Sequence, residues 1–209
     1  MTLFLIIPSY YHGSKGAEMT QLTESQVESA KVFDGVLLQV YKDRVVLPDG
    51  RESVREYIRH PGAAVMIPLL KTGELIMERQ YRYPLRQELL ELPAGKIDAG
   101  EDPVESARRE LLEETGYRGG RFTRLGVVHP CIGYSDEVIY IYLVENLTFH
   151  SERQDKDEFI ETFRIGLQDA VEGIRAGRIT DGKTITGIYW AEKLVRNEWA
   201  LPDNGNTPE

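Results

Sequence analysis

The sequence predicts an α/β fold of the α+β kind, in which helices cover both faces of a mixed β-sheet and a small antiparallel β-sheet comes first. Two observations support this. Short apolar runs separated by turn residues fill residues 32–92, and a strong helical pattern over residues 102–115 is followed by further runs of both kinds. The 209 residues are 41% hydrophobic and 28% charged, which is enough for a real core and excludes general disorder.

The balance of charge and the cysteine content exclude several classes of function. The chain has 34 acidic and 25 basic residues and a formal net charge of -9, so we expect no nucleic-acid partner. Its single cysteine, Cys131, excludes an internal disulfide and a Cys-built zinc site, and it is compatible with a cytoplasmic location. The apolar run at residues 3–7 is far shorter than the roughly 20 residues that span a bilayer, so no membrane partner is expected.

The chain divides into four predicted segments. Residues 1–26 are expected to be a disordered leader, because termini are poorly ordered unless something holds them. Residues 27–60 are expected to form an antiparallel meander that turns at Lys42-Asp43 and again at residues 48–50. A meander this small has no core, so it must pack on the rest of the chain or on another subunit. Residues 61–200 are expected to form the main domain and residues 201–209 a tail.

One helix is predicted with unusually clear ends. Asp102 is a suitable N-cap, Pro103 suits the first helical position, Glu105 completes a capping box, and Gly116 stands where a helix ends. Its apolar face consists of Val104, Ala107 and Leu111. Strands are predicted at residues 36–41, 44–47, 53–59, 64–70, 74–79, 88–92, 122–129 and 137–144, and two more helices at 167–176 and 184–196.

Three glutamates share one face of the predicted helix. Glu110, Glu113 and Glu114 are spaced at i, i+3 and i+4, and like charges at this spacing destabilise a helix. The arrangement is explained if a hard divalent cation lies between the carboxylates, because Mg²⁺ prefers oxygen ligands. Taken alone, the triplet is more typical of a solvated acidic face than of a metal site.

The residues around the triplet decide between these interpretations. Seven identities recur at fixed spacing, and the chance of such a match is on the order of 10⁻⁸ per starting position. They are Gly95, Glu101, Arg109, Glu110, Glu113, Glu114 and Gly116. This pattern resembles the box of the Nudix hydrolase family.

The resemblance implies a Nudix fold with a loop–helix–loop that presents the glutamates. It also implies hydrolysis of a nucleoside diphosphate linked to another moiety, by attack of water on phosphorus with Mg²⁺ or Mn²⁺. Glu110 and Glu114 are then the main metal ligands, with Glu113 assisting and the backbone carbonyl of Ala94 as a further ligand. The resemblance makes Glu101 and Arg109 a pair that braces the loop.

Motifs outside the box narrow the resemblance to the ADP-ribose pyrophosphatase branch. They are QYRYP at residues 80–84, ELPAG at 91–95, GYSDE at 133–137 and DEFIE at 157–161. This branch implies cleavage of ADP-ribose to AMP and ribose 5-phosphate. It also implies a homodimer in which the N-terminal sheet lends residues to the partner's site.

The resemblance also suggests roles for residues outside the box. Glu158 would accept the proton of the attacking water and contact the metal, with Glu161 as the near alternative and Asp155 and Asp157 less favoured. Arg82 would bind phosphate, since its fork geometry matches phosphate oxygens.

Nucleotide binding is assigned more loosely. Arg51, Glu52 and Arg55 align with the segment that reaches the nucleotide, and His129 and Ser135 are candidates for the terminal ribose pocket. No tryptophan is suitably placed to stack on adenine, which leaves Tyr41, Tyr57 and Tyr83 as alternatives.

Two other functions remain open at this stage. The same chemistry could act on a different nucleotide sugar such as GDP-mannose. A Nudix-fold protein could also sense a nucleotide without cleaving it, although the presence of all three box-helix glutamates argues against this.

Overall fold

The computed structural model of the chain describes residues 21–150 and 159–202. Within these residues the strands are β1 (Ser25–Asp34), β2 (Gln39–Val46), β3 (Glu52–Arg59), β4 (Ala63–Pro68), β5 (Glu74–Arg82), β6 (Gln87–Glu91), β7 (Ala94–Lys96), β8 (Tyr117–Arg118), β9 (Arg121–Val128), β10 (Ile139–Glu145), β11 (Thr148–Phe149) and β12 (Ile160–Gly166). The helices are α1 (Pro103–Thr115), α2 (Leu167–Arg175) and α3 (Gly182–Val195).

A four-stranded mixed sheet forms the centre of the fold, in the order β7-β4-β10-β9. β4 and β10 are parallel, and the other two pairs are antiparallel. Alternate residues of β4 serve opposite faces: Ala64 and Met66 pack with α1, whereas Val65 and Ile67 join the larger core that includes α3. The predicted mixed sheet between helices is therefore confirmed.

A second, three-stranded sheet has the order β12-β5-β6 and is antiparallel. The sequence predicts neither the separation into two sheets nor β12, because the alternation along a strand does not say which strand it pairs with. β5 also extends through Arg82, three residues beyond its predicted end. This extension carries Arg82 to the end of the sheet, beside β6.

The N-terminal strands form a separate antiparallel sheet in the order β1-β2-β3. Two predictions need correction. β1 begins at Ser25, inside the expected leader, whose residues 1–20 lie outside the described part of the chain. The predicted turn at Lys42-Asp43 is wrong, because β2 runs through both residues and pairs with its neighbours along its length. Every residue of β1 is exposed.

Helix α1 has the predicted ends. Asp102 accepts a hydrogen bond from the amide of Val104 at 2.9 Å, and Gly116 adopts the left-handed conformation with φ 73°. The Glu105 carboxylate forms an ion pair with Arg108 at 3.3 Å. α1 is thereby fixed between the loop that precedes it and β8.

The two later helices lie close to their predicted positions. α3 begins two residues early, at Gly182, because Asp181 caps it by accepting from the amide of Thr184 at 3.0 Å. In the described part of the chain, no helix combines the length and apolar character needed to cross a membrane.

Candidate active site

One part of the candidate site lies where helix α1 packs against the edge strand β7. Gly95 lies on β7 directly against the side chain of Glu110, and a Cβ atom built at Gly95 would overlap the Glu110 carboxyl group. Only glycine therefore leaves Glu110 in its present position. This gives a physical reason for the glycine that begins the box.

Arg109 connects the box loop to the helix face. Its guanidinium donates to both oxygens of Glu101, with Nε to Oε1 at 3.1 Å and Nη2 to Oε2 at 2.9 Å. Nη1 donates to Glu110 at 2.8 Å and to Glu113 at 3.1 Å. The hydrogen bonds from Arg109, aided by the amide of Asp98, lower the pKa of Glu101 to about 2, although desolvation opposes the shift. Glu101 therefore stays ionised and holds Arg109 in place.

Glu114 lies at the other end of the same face and is buried. Its carboxylate accepts a hydrogen bond from the amide of Ala94 at 3.0 Å, so the backbone of Ala94 lies next to this glutamate. Ala94 immediately precedes Gly95, which contacts Glu110. The structure thus places Ala94 beside Glu114 and, through Gly95, beside Glu110.

The chemistry of these donors fits a hard divalent cation. Three carboxylates from one helix and a backbone carbonyl supply the oxygen ligands that Mg²⁺ or Mn²⁺ prefers. In the described conformation the carboxylates of Glu110 and Glu113 are turned towards Arg109. Accordingly, no group of three or more acidic, histidine or cysteine side chains in the described ranges is close enough to enclose a metal ion. Binding would require these carboxylates to exchange Arg109 for the cation.

A cavity of about 950 Å³ opens beside Ala94 and Gly95. Four predicted residues line it: Arg82, His129, Ala94 and Gly95. Tyr83, one of the three tyrosines considered for stacking, lines it as well, and the Arg86 guanidinium lies over its ring at 3.5 Å from the centroid. A volume of this size is in the range of small-molecule sites.

A buried charge network forms one wall of this cavity. Glu91 has a side chain that is only 3% exposed, and it accepts from Arg82 Nε at 2.6 Å and Nη2 at 2.8 Å. Lys183 also donates to Glu91, and to Asp181 at 2.9 Å. Burial raises the pKa of Glu91, but the hydrogen bonds and charges of Arg82 and Lys183 outweigh it and leave the pKa below its ordinary value.

Other predicted residues lie away from this cavity in the single chain. Arg51 is paired with Asp49, Glu52 accepts from Arg44, and Arg55 donates to Glu24. All three predicted residues are on or beside the exposed N-terminal sheet. If these three residues contribute to nucleotide binding, they must do so at a site other than the cavity of their own chain.

Ser135 and the remaining tyrosines have structural contacts of their own. The Ser135 hydroxyl accepts from the amide of Glu137 at 3.2 Å. Tyr41 and Tyr57 stack on each other in the N-terminal sheet, with ring centroids 5.8 Å apart. Neither tyrosine lines the cavity.

The predicted proton acceptor, Glu158, lies outside the described residues, as do Asp155 and Asp157. The alternative, Glu161, is not on a loop but on strand β12, opposite Arg79. Arg79 donates to Glu161 through Nε at 2.9 Å and through Nη2. Glu161 and Glu114 line the same smaller cavity, of about 380 Å³.

Sequence reasoning missed Lys183 and Glu91 as parts of the site. Glu91 stands in the quoted ELPAG motif, but nothing in the sequence assigns it a partner. Lys183 is 92 residues away and sits in the first turn of a helix that was predicted to begin at residue 184. Recognising Asp181 as an N-cap would have placed Lys183 at the start of α3, but not against Glu91.

Comparison with known proteins agrees with this geometry. The family model described as NUDIX domain matches residues 59–185. The chain is 35% identical over 176 residues to an ADP-ribose pyrophosphatase of Bacillus subtilis (strain 168), covering 83% of this chain and 95% of the relative. It is also 35% identical over 171 residues to a methanol dehydrogenase activator of Bacillus methanolicus, covering 81% and 92%.

The fold also matches a solved structure. A crystal structure of an ADP compounds hydrolase superposes with a TM-score of 0.78 over 87% of this chain and 98% of that chain, at 21% sequence identity. The family model covers more than half of the chain. The box glutamates and the glycine that accommodates Glu110 are consistent with the same family. The chain therefore belongs to the NUDIX domain family and is a pyrophosphate hydrolase of that family.

Proposed function

We propose that this protein hydrolyses ADP-ribose to AMP and ribose 5-phosphate, using Mg²⁺, with Mn²⁺ as a possible substitute. The observation that carries the proposal is the cavity lined by both Arg82 and the Ala94–Gly95 backbone, which itself contacts Glu114 and Glu110. The Bacillus subtilis relative, whose name is ADP-ribose pyrophosphatase, supports the choice of substrate. The 950 Å³ cavity has room for a nucleoside diphosphate sugar.

Arg82 is proposed to bind the diphosphate. Its planar guanidinium matches phosphate oxygens, and Glu91 fixes its orientation through two parallel hydrogen bonds. His129 lines the same cavity and is proposed, with Ser135, to contact the terminal ribose.

The metal is proposed to be held by Glu110, Glu113, Glu114 and the carbonyl of Ala94. A divalent cation there supplies charge neutralisation on the diphosphate, as a Lewis acid. Glu101 and Arg109 brace the loop that presents these ligands, and Gly95 admits Glu110 to its place.

The reaction requires a group that accepts the proton of the attacking water. Water adds to phosphorus, the bond from phosphorus to the bridging oxygen breaks, and the water proton passes to a carboxylate. We propose Glu158 for this role, with Glu161 as the alternative. The hydrogen bonds from Arg79 to Glu161 favour Glu158, because they already engage the Glu161 carboxylate and hold it on strand β12.

We also propose that the protein is a cytoplasmic homodimer whose residues 27–60 form the interface. The exposed apolar residues of this segment support it, since a sheet with Val27, Val32, Phe33 and Val54 on its surface lacks a core. Arg51, Glu52 and Arg55 would then reach the partner's cavity. Light scattering should give about twice the chain mass, and a monomer would contradict both the interface and that role.

The direct test of the metal assignment is Glu114→Gln. Gln keeps the shape of Glu114 and can still accept from the amide of Ala94, so the fold should persist. Loss of the charge should lower turnover of ADP-ribose by about a hundredfold or more. Chromatography of AMP gives the rate, and circular dichroism checks the fold.

The matched control for this test is Glu105→Gln. Glu105 lies on the same helix but is exposed and paired with Arg108, so its replacement should leave turnover within about twofold. Unchanged turnover in Glu114→Gln would refute the metal assignment.

A further inference from the structure

Glu91, in the Arg82 wall of the cavity, is a buried carboxylate that accepts hydrogen bonds from two cations. Glu78 on β5 lies directly opposite Glu91 on β6, and both are almost completely buried. A buried carboxylate such as that of Glu91 needs a cation with good hydrogen-bond geometry. The second cation at Glu91 is Lys183, whose side chain is only 15% exposed.

The surrounding structure fixes the position of the Lys183 side chain. It follows the N-cap Asp181, and its ammonium bonds both Asp181 and Glu91. The next residue, Thr184, accepts a hydrogen bond from the amide of Leu92 at 2.9 Å, which ties the first turn of α3 to the chain just after Glu91. These contacts restrict the long Lys183 side chain to a single conformation.

The two cations share one carboxylate oxygen. Oε2 of Glu91 accepts from Arg82 Nη2 at 2.8 Å and from Lys183, while Oε1 accepts from Arg82 Nε at 2.6 Å. The Nη1 side of Arg82 is directed away from Glu91, and the residue remains 39% exposed at the cavity wall. The orientation of the Arg82 fork therefore depends on where Glu91 is held.

We propose that Lys183 is the positioning residue for Arg82: it anchors Glu91, and Glu91 in turn aims the Arg82 guanidinium at the diphosphate of the substrate. This inference rests on the proposed function, because Arg82 is taken as the phosphate-binding group. Lys183 acts through Glu91 and needs no contact with the substrate.

The test measures binding of ADP-ribose to the full-length protein in EDTA by titration calorimetry, which separates Arg82 from the metal. Lys183→Met should weaken binding by about tenfold, within the range that coupled groups show. Lys183→Arg keeps the charge and should bind at least about threefold more tightly than Lys183→Met. Lys193→Met is the matched control, since Lys193 lies on the same helix in an exposed ion pair with Glu198.

A double-mutant cycle distinguishes positioning from a merely structural role. If Lys183 acts through Arg82, Lys183→Met should change the affinity by less than about twofold once Arg82→Met is present. With Mg²⁺ added, Lys183→Met should raise KM by about tenfold and change kcat by less than about threefold, because binding by Arg82 persists through the reaction. If Lys183→Met does not fold, Lys183→Gln, which keeps a hydrogen-bond donor, takes its place.

The outcomes separate this inference from the proposed function. Wild-type protein that releases no AMP from ADP-ribose with Mg²⁺ refutes the proposed function, whereas wild-type protein that hydrolyses ADP-ribose with Mg²⁺ but does not bind it in EDTA overturns the positioning role. Wild-type binding that is unchanged in Lys183→Met, or equal losses in the presence and absence of Arg82, overturns the positioning role. A tenfold loss that disappears in the Arg82→Met background supports it.

Discussion

Replacing Gly95 with alanine tests how much the contact between β7 and α1 contributes to stability and to activity. The new Cβ would overlap Cγ, Cδ and Oε1 of Glu110. All three atoms belong to the end of a flexible side chain, so Glu110 can swing away and give up its 2.8 Å hydrogen bond from Arg109. We expect a loss of about 1–2 kcal/mol of unfolding free energy, in the range of modest overpacking.

The effect on activity should be much larger than the effect on stability. Glu110 is proposed as a metal ligand, and a displacement of about 1 Å in a reacting geometry can cost about a hundredfold in rate. The expected result is a melting temperature lower by about 2–8 °C together with a loss of about a hundredfold in kcat/KM for ADP-ribose. Calorimetry gives the first quantity and AMP release the second.

Gly166→Ala is the matched control for this substitution. Its Cβ would meet the Asp169 carboxylate at 3.0 Å, which is a milder contact with a flexible acid, and it lies far along the chain from the box. It should lower stability by a similar or smaller amount and leave kcat/KM unchanged. If Gly95→Ala retains full activity, the position of Glu110 against Gly95 does not matter for catalysis.

Two further predictions concern stabilisation of the fold by Mg²⁺ and the stability of the fold at low pH. Mg²⁺ at 100 times its dissociation constant should stabilise the fold by about 2.7 kcal/mol, because the cation binds only the assembled carboxylates; no rise in melting temperature over an EDTA sample would contradict the site. The pKa of Glu91 is lowered in the folded state, so its contribution to stability is complete above the ordinary carboxyl pKa and is lost as the pH falls through the folded value. The urea midpoint of the wild type should therefore fall between pH 6 and pH 3, and Glu91→Gln should make this fall smaller. Glu88→Gln, at an exposed position of the same strand, is the control and should not. Equal pH profiles for the two variants would contradict this contribution of Glu91.

The box helix and its contacts could be predicted from the sequence because its signals are local. Asp102, Pro103 and Gly116 fix the ends of α1, and the spacing of the glutamates fixes the face they share. The resemblance names Gly95 as a residue of the box, and the structure adds the steric reason, which is its contact with the Glu110 side chain.

The remaining features depend on pairing between distant residues. Nothing near Lys42 or Asp43 shows that β2 continues through them, because a polar pair is as compatible with an exposed strand as with a turn. Likewise, Lys183 meets Glu91 only because α3 packs beside the end of β6. Contacts of this kind arise from tertiary packing and leave no local pattern.

The activity on ADP-ribose is tested by a substrate comparison with Mg²⁺, in which products are resolved by chromatography. The panel consists of ADP-ribose, GDP-mannose, UDP-glucose, NADH and diadenosine polyphosphates. We expect release of AMP and ribose 5-phosphate from ADP-ribose at a kcat/KM well above that for every other compound. Preference for another nucleotide, or no hydrolysis of any of them, would contradict it.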